Sequence, residues 1–147
     1  GASPEELAFV RNTTEGVNIV ANGLPFRKGD EIITTTEEHV GNIMPWLPLA
    51  RRLGLTIRFF VPSVVSPQEN LDRIAALVTK RTRLISVPHA VTTTGLILPV
   101  KEIAAMARAR GVDVVVDAAH SFGQCDLKMD HLGADFDRIG SLMELIG

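Results

Sequence analysis

Four runs of apolar and β-branched residues recur along this chain, each the length of a strand: Glu31–Thr35 (EIITT), Thr56–Val61 (TIRFFV), Arg83–Val87 (RLISV) and Val112–Asp117 (VDVVVD). They are nearly continuous rather than alternating, which is how strands covered on both faces of a parallel sheet read. Helix-length segments separate them. Asn12–Asn22 opens with Asn12 three residues before Glu15, the spacing of a capping box with Asn in place of Ser or Thr. Val40–Leu53 is amphipathic but carries Pro45 and Pro48, so its first half is expected to be irregular or broken. Pro67–Lys80 puts Leu71, Ile74, Ala75 and Val78 on one face, and Pro99–Arg110 begins with proline and stops at Gly111. Strand and helix alternating in this rhythm predict an α/β domain: three layers around a mainly parallel, doubly wound sheet. Ile33, Phe59, Ile85, Val114 and Val116 are its expected core residues.

Composition narrows the function. The chain has 147 residues, 46% of them hydrophobic and 22% charged, enough for one domain with a substantial core and unlike a disordered chain. Its apolar runs fall far short of the ~20 residues of a membrane-spanning helix. The formal net charge of −2 offers no footprint for nucleic acid. The single cysteine, Cys125, excludes an internal disulfide framework and a cysteine-rich zinc site. The opening GASPEEL has neither the basic nor the apolar region of an export signal, so a cytoplasmic location is expected. There is no G-x-G-x-x-G, no G-x-x-x-x-G-K-[ST] and no G-x-S-x-G. His39, His89, His120 and His131 lack the i, i+4 pairing of a metalloprotease helix, so no metal is expected.

In open parallel sheets, ligands bind beyond the carboxyl ends of the strands, so polar residues just after the strand runs carry the chemistry. Asn12-Thr13-Thr14-Glu15-Gly16 joins a short apolar segment to a helix, as an ordinary cap or as a phosphate site made of helix amides and two hydroxyls. Glu38-His39 follows EIITT, where an imidazole stacks on a planar ligand, moves a proton, or simply occupies an exposed loop. His89-Ala-Val-Thr92-Thr93-Thr94-Gly95 follows LISV, with three hydroxyls for an anion or for a hydrogen-bonded turn. The strongest single feature is Val114-Val-Val-Asp117-Ala-Ala-His120. A carboxylate ending a buried apolar strand is costly unless donors or a cation meet it. Asp117 is therefore a helix cap, a metal ligand, or the partner of a cofactor's ring nitrogen, and Ala118 and Ala119 leave room for close approach.

Together these segments resemble the class V aminotransferase family, fold-type I pyridoxal phosphate enzymes that include cysteine desulfurases and isopenicillin N epimerase-like proteins. The resemblance is carried by RNTTEGVN, GDEIITT with EEH, N and PW after it, HAVTTTG with ILPVKEIA, and VVVDAAHS. It runs from Arg11 to Phe136 in family order, and TTTG with LILPV leans toward the epimerase-like branch. The resemblance implies pyridoxal 5′-phosphate as cofactor and an amino acid as substrate. It places Thr13 and Thr14 at the cofactor phosphate, and His39 on the pyridine ring as a residue that also moves protons. It further places Asp117 at the pyridinium nitrogen, His120 beside the phenolic oxygen, Thr92 where many members carry Asn for that oxygen, and Ser141 as a further phosphate contact.

The departures imply as much. In the family a segment of the type S-x-H-K follows G-A-D-F, and its lysine forms the Schiff base. Here Met143 and Glu144 fall at the His and Lys positions, after an apparent one-residue insertion following Phe136. The family's N-terminal segment, the rest of its large domain and its small domain have no counterpart. The expectation is a partial large, cofactor-binding domain spanning residues 1–147, inactive by itself and self-associating. The alternative is a non-catalytic binding or assembly module that keeps the fold.

Overall fold

The structure, a computed structural model, describes residues 4–6 and 8–125. After a 3-10 turn at Pro4–Glu6, the chain forms α1 (Thr13–Gly23), β1 (Glu31–Thr35), α2 (Val40–Ile43), α3 (Trp46–Leu53) and β2 (Thr56–Phe60). It continues through α4 (Pro67–Leu77), β3 (Thr82–Pro88), α5 (Val100–Arg108) and β4 (Asp113–Asp117). All strand pairs are parallel, in the order β2-β1-β3-β4. The chain steps outward from β1 to β2, then returns across β1 to lay down β3 and β4. The direction of winding therefore reverses between β1 and β3, and a crevice opens there beyond the carboxyl ends. No helix among the described residues is long and apolar enough to cross a membrane.

Alternation along the strands divides the core into two layers. Ile33, Ile85, Val87, Val114 and Val116 pack against Ile74 of α4 and Ile103 of α5. Ile32, Leu84 and Val115 face the opposite way and meet Val17 of α1 with Trp46 and Leu49 of α3. Helices thus cover both faces, giving the three-layer, doubly wound α/β architecture expected from the strand runs. Each aliphatic side chain buried as fully as Ile32, Ile33, Leu84 and Ile85 stabilises the fold by about 1.5–3 kcal/mol. Phe59 departs from expectation: it is 46% exposed, whereas its neighbour Phe60 is buried in the α4/α5 layer. Among the described residues β2 is an edge strand, bonded on one side only, and Phe59 sits on the opposite face from Phe60, near the strand's end. A run of apolar residues at an edge is not covered as it is in the centre.

Local chemistry sets the helix boundaries. The proline-bearing segment breaks at Met44-Pro45 into α2 and α3, and Pro48 falls in the first turn of α3, where no intrahelical N–H is needed. The buried Trp46 indole donates to Ser86 Oγ at 3.1 Å and meets Phe26 edge-on, which pins α3 to the sheet. α4 stops at Leu77 rather than Lys80 because the next residues serve another structure. The Thr79 amide donates to Thr82 Oγ1 at 2.8 Å, and the Thr79 hydroxyl donates to Glu31 at 2.6 Å.

Glu31 is the polar anchor at the amino end of the sheet. Its fully buried side chain accepts from Arg58 at 2.9 Å, Arg81 at 3.1 Å and Thr79, so its desolvation is compensated. The Arg58 hydrogen bond, helped by Thr79 and Arg81 and opposed by burial, holds this carboxyl down to about 2. A depressed carboxyl stabilises the fold above its unfolded value and loses that contribution as pH falls through the folded value. Glu31→Gln is therefore expected to cost about 1–3 kcal/mol at pH 7, the range being limited by the exposure of the arginines. The difference should narrow as pH falls from about 4.5 through about 2. Urea unfolding of both proteins at pH 7 and pH 3 checks this, and an equal gap at the two pH values would refute it.

Candidate functional site

The first wall of the site is the start of α1. Asn12 lies in extended backbone, and its side chain accepts from the Glu15 amide at 2.9 Å. The reciprocal half of the expected capping box is displaced by one residue, since Glu15 accepts from the Arg11 amide at 2.7 Å instead. Thr13 and Thr14 therefore occupy the first helical turn, where free amides and the helix dipole favour an anion. Thr13 is buried and its hydroxyl meets no partner, while Thr14 is exposed.

The second wall follows β1. His39 caps the short α2: its Nδ1 accepts from the Gly41 amide at 3.1 Å, a bond that leaves the ring proton on Nε2 in the neutral form. Its own amide donates to Glu38 Oε1 at 3.0 Å. Glu38 also accepts from Thr34 Oγ1 at 3.4 Å. Burial, reinforced by the nearby charge of Asp117 and opposed by contacts with Asn42, the His39 amide and Thr34, pushes the Glu38 carboxyl up to about 7. Asn42 is wholly buried, and its amide finds no partner in good hydrogen-bond geometry. Gly41 packs so closely on α1 that an added Cβ would lie 2.5 Å from Thr14 Oγ1.

The floor is the end of β4. Asp117 is 5% exposed, and its carboxylate accepts from the Ala119 amide at 3.0 Å, which bends the chain away from the strand. That bend carries His120 over to His39, where the two rings meet at 5.9 Å with 62° between their planes. The three walls enclose a cleft of about 390 Å³ lined by Asn12, Thr13, Thr14, His39, Gly41, Asp117, Ala119, His120 and Gln124. Neither Lys nor Arg is among these lining residues. Among the described residues no three His, Cys, Asp or Glu side chains converge to hold a metal ion.

Five of the residues singled out in the sequence, Thr13, Thr14, His39, Asp117 and His120, thus share one cleft. Thr92 does not line it; it is exposed in the turn after β3. The rest of that threonine run makes turn contacts. Thr93 donates to Glu37 at 2.9 Å, Thr94 Oγ1 accepts from the Leu96 amide at 3.3 Å, and Gly95 turns the chain with φ 69°. Ser141, with Met143 and Glu144, lies outside the described residues. His89 is buried and burial alone lowers its pKa, while its backbone amide donates to the Asp117 carbonyl at 2.8 Å. Gly41 and Gln124 escaped sequence reasoning, because a glycine and a glutamine in turns carry no signal until the elements beside them are in place.

The class-V aminotransferase family matches this chain over residues 1–141. The chain belongs to that family. A probable cysteine desulfurase of Methanothermobacter thermautotrophicus is 41% identical over 138 residues, 92% of this chain and 33% of the relative. A cysteine desulfurase of Yersinia pestis is likewise 41% identical, over 34% of its own length. This class-V chain therefore spans about a third of the length of the curated relatives it matches. Among solved structures, the apo cysteine desulfurase of Thermococcus onnurineus superposes with a TM-score of 0.80 at 36% identity, covering 92% of this chain and 34% of that one. A C-DES mutant with glycine covalently linked to its pyridoxal phosphate cofactor gives 0.78 at 36% identity, covering 84% and 34%. These relatives are desulfurases and a C–S lyase, not members of the epimerase-like branch toward which TTTG and LILPV lean.

The class-V cleft offers a direct test of its tightest contact. Gly41→Ala is expected to destabilise the chain by about 1–2 kcal/mol, because Thr14 must move out of the way. Adding Thr14→Ala should recover most of that loss, whereas independent sites would give additive losses. Thermal unfolding of the two single variants and the double variant distinguishes the outcomes.

Proposed function

We propose that the cleft binds pyridoxal 5′-phosphate and that the chain is the cofactor-binding part of an enzyme acting on an amino acid. What carries this reading is the convergence of an anion-seeking helix start, an exposed imidazole and a buried carboxylate on one cleft of about 390 Å³. The residues fit the group. The partnerless Thr13 hydroxyl and the α1 amides suit a phosphate, and the small Ala119 beside Asp117 leaves space for a flat ring. Bound there, the cofactor supplies an electron sink for charge developing at the substrate's α-carbon.

In this reading each residue has a task that its environment favours. Thr13, Thr14 and the first turn of α1 bind the phosphate dianion. His39, pointed by the Gly41 amide, covers the ring and moves a proton at the substrate carbon. Asp117, oriented by the Ala119 amide, holds the proton on the ring nitrogen. His120 stands beside the phenolic oxygen. Thr92 and Ser141 belong to the reading by resemblance only. The substrate class best supported is a sulfur-containing amino acid. Cysteine desulfurases share 41% identity with the chain, and a cystine C–S lyase in complex with its product cysteine persulfide superposes with a TM-score of 0.77.

The chain by itself is proposed to be inactive, since by resemblance Met143 and Glu144 fall at the positions of the family's His and Lys, and among the described residues no lysine lines the cleft. Mixing the pure chain with pyridoxal 5′-phosphate should give non-covalent binding that Asp117→Ala weakens by at least about tenfold, equivalent to 1.4 kcal/mol. Reduction with borohydride and peptide mapping should leave no lysine carrying the cofactor. Stoichiometric labelling of one lysine would overturn the inactive reading, and absence of any binding would overturn the cofactor reading. A cytoplasmic location is part of the same proposal.

The chain is further proposed to self-associate. Phe59, Val61, Val64 and Val65 are 46%, 57%, 77% and 81% exposed along the β2 edge and the segment after it, an apolar surface of the kind that contacts another chain. Light scattering at high concentration is expected to give a dimer or larger species, and a monodisperse monomer would count against it.

A further inference from the structure

We propose that Glu38 is a positioning residue of the cleft, a half-buried carboxyl that ties the backbone of His39 to the end of β1 through Thr34. The cofactor part of this inference rests on the reading above; the coupling between the three residues does not.

The geometry assigns Glu38 this place. Its two oxygens are divided between the end of β1 and the start of α2: one accepts from the His39 amide at 3.0 Å, the other from the Thr34 hydroxyl at 3.4 Å. Thr34 is fully buried, so the carboxyl is anchored to a part of the sheet that does not move with the loop. Asn42 closes the pocket from α2 with an amide that has no partner in good geometry. His39 is therefore held twice, by Glu38 through its backbone and by Gly41 through its ring. The Glu38 carboxyl does not line the cleft, and it acts only through what it holds.

The charges around Glu38 give the coupling its sign. From β4 it faces Asp117, whose charge disfavours a second carboxylate. On its own segment Glu37 is turned away onto Thr93, and His39 adjoins it. His89 at the end of β3 touches Asp117 through backbone, and His120 reaches the site through His39. Among the described residues no Lys or Arg lines the cleft to neutralise the pair. Burial, with a smaller push from Asp117, raises the Glu38 carboxyl to about 7. A positive charge placed against Asp117, such as a protonated ring nitrogen, weakens the repulsion and lowers the pH at which Glu38 ionises, while burial continues to oppose it. The ionised carboxylate accepts a stronger, charge-assisted bond from the His39 amide. Charge on the floor of the cleft is thus converted into a firmer hold on the residue that covers it.

The test begins without any ligand. Carbon-13 labelling of glutamate side chains, with Glu38→Gln to assign the signal, follows the Glu38 carboxyl through a pH titration, while the His39 amide proton is read in the same samples. The expected result is a Glu38 midpoint near neutrality, a His39 amide shift that follows the same curve, and a lower midpoint in Asp117→Asn. A His39 amide that ignores the Glu38 titration, or a midpoint unchanged in Asp117→Asn, overturns the proposal. Pyridoxal 5′-phosphate is then titrated at pH 6 and pH 8. Glu38→Ala should weaken binding by about tenfold, the loss of one charge-assisted bond, and Glu38→Gln should recover most of it at pH 6, where the native carboxyl is neutral. Equal binding by the native chain and Glu38→Ala overturns the positioning role. If the native chain binds no cofactor, the cofactor reading fails, and the ligand-free titration still decides the coupling.

Discussion

A sheet covered on both faces has almost no place for a polar side chain except at the ends of its strands, and the whole molecule follows from that constraint. β1 and β3 are closed in by α1 and α3 on one face and by α4 and α5 on the other, so aliphatic residues fill the middle of each strand. Because every strand runs the same way, the carboxyl ends gather at one edge and the amino ends at the other. Chemistry gathers with them. Asp117 terminates β4, Glu38 and His39 follow β1, and α1 brings its first turn to the same edge.

The opposite edge obeys the same rule with another result. Glu31 begins β1 and is as buried as any aliphatic residue, yet it is surrounded by donors and serves stability. Glu38 is half-buried near another carboxylate, with few donors. The two residues are chemically identical. What differs is the company supplied by elements distant in sequence: Arg58, Thr79 and Arg81 for one, Asp117 for the other.

This explains which parts of the fold were legible in the sequence. The central strands were readable because burial on two faces imposes an apolar run that needs no knowledge of neighbours. The helix start at Asn12 was readable because a cap is a local interaction, satisfied within three residues. Phe59 misled because an edge strand has the same composition as a central one, and only strand order tells them apart. The Glu15 carboxylate reached Arg11 instead of Asn12, a one-residue shift that spacing alone does not resolve. At the site, the residue types pointed to an anion, a planar ring and a buried carboxylate, but their convergence came from the resemblance rather than from spacing. Gly41 and Gln124 became visible only once α1 and the turn after β4 met. The threonine run looked like one feature, yet Thr93 bonds to Glu37 in the segment after β1, while Thr94 bonds within its own turn.

The Glu38 environment also bears on a property of the molecule as a whole. The formal charge of −2 counts every glutamate as an anion. A carboxyl raised to about 7 by burial is not fully ionised at neutral pH, so that count overstates the negative charge Glu38 contributes. Any ligand that ionises Glu38 frees its proton, either to the solvent or to a basic group of the ligand itself. Occupancy of the cleft then becomes readable from outside as a net proton exchange with an unbuffered solution, without a chromophore and without turnover.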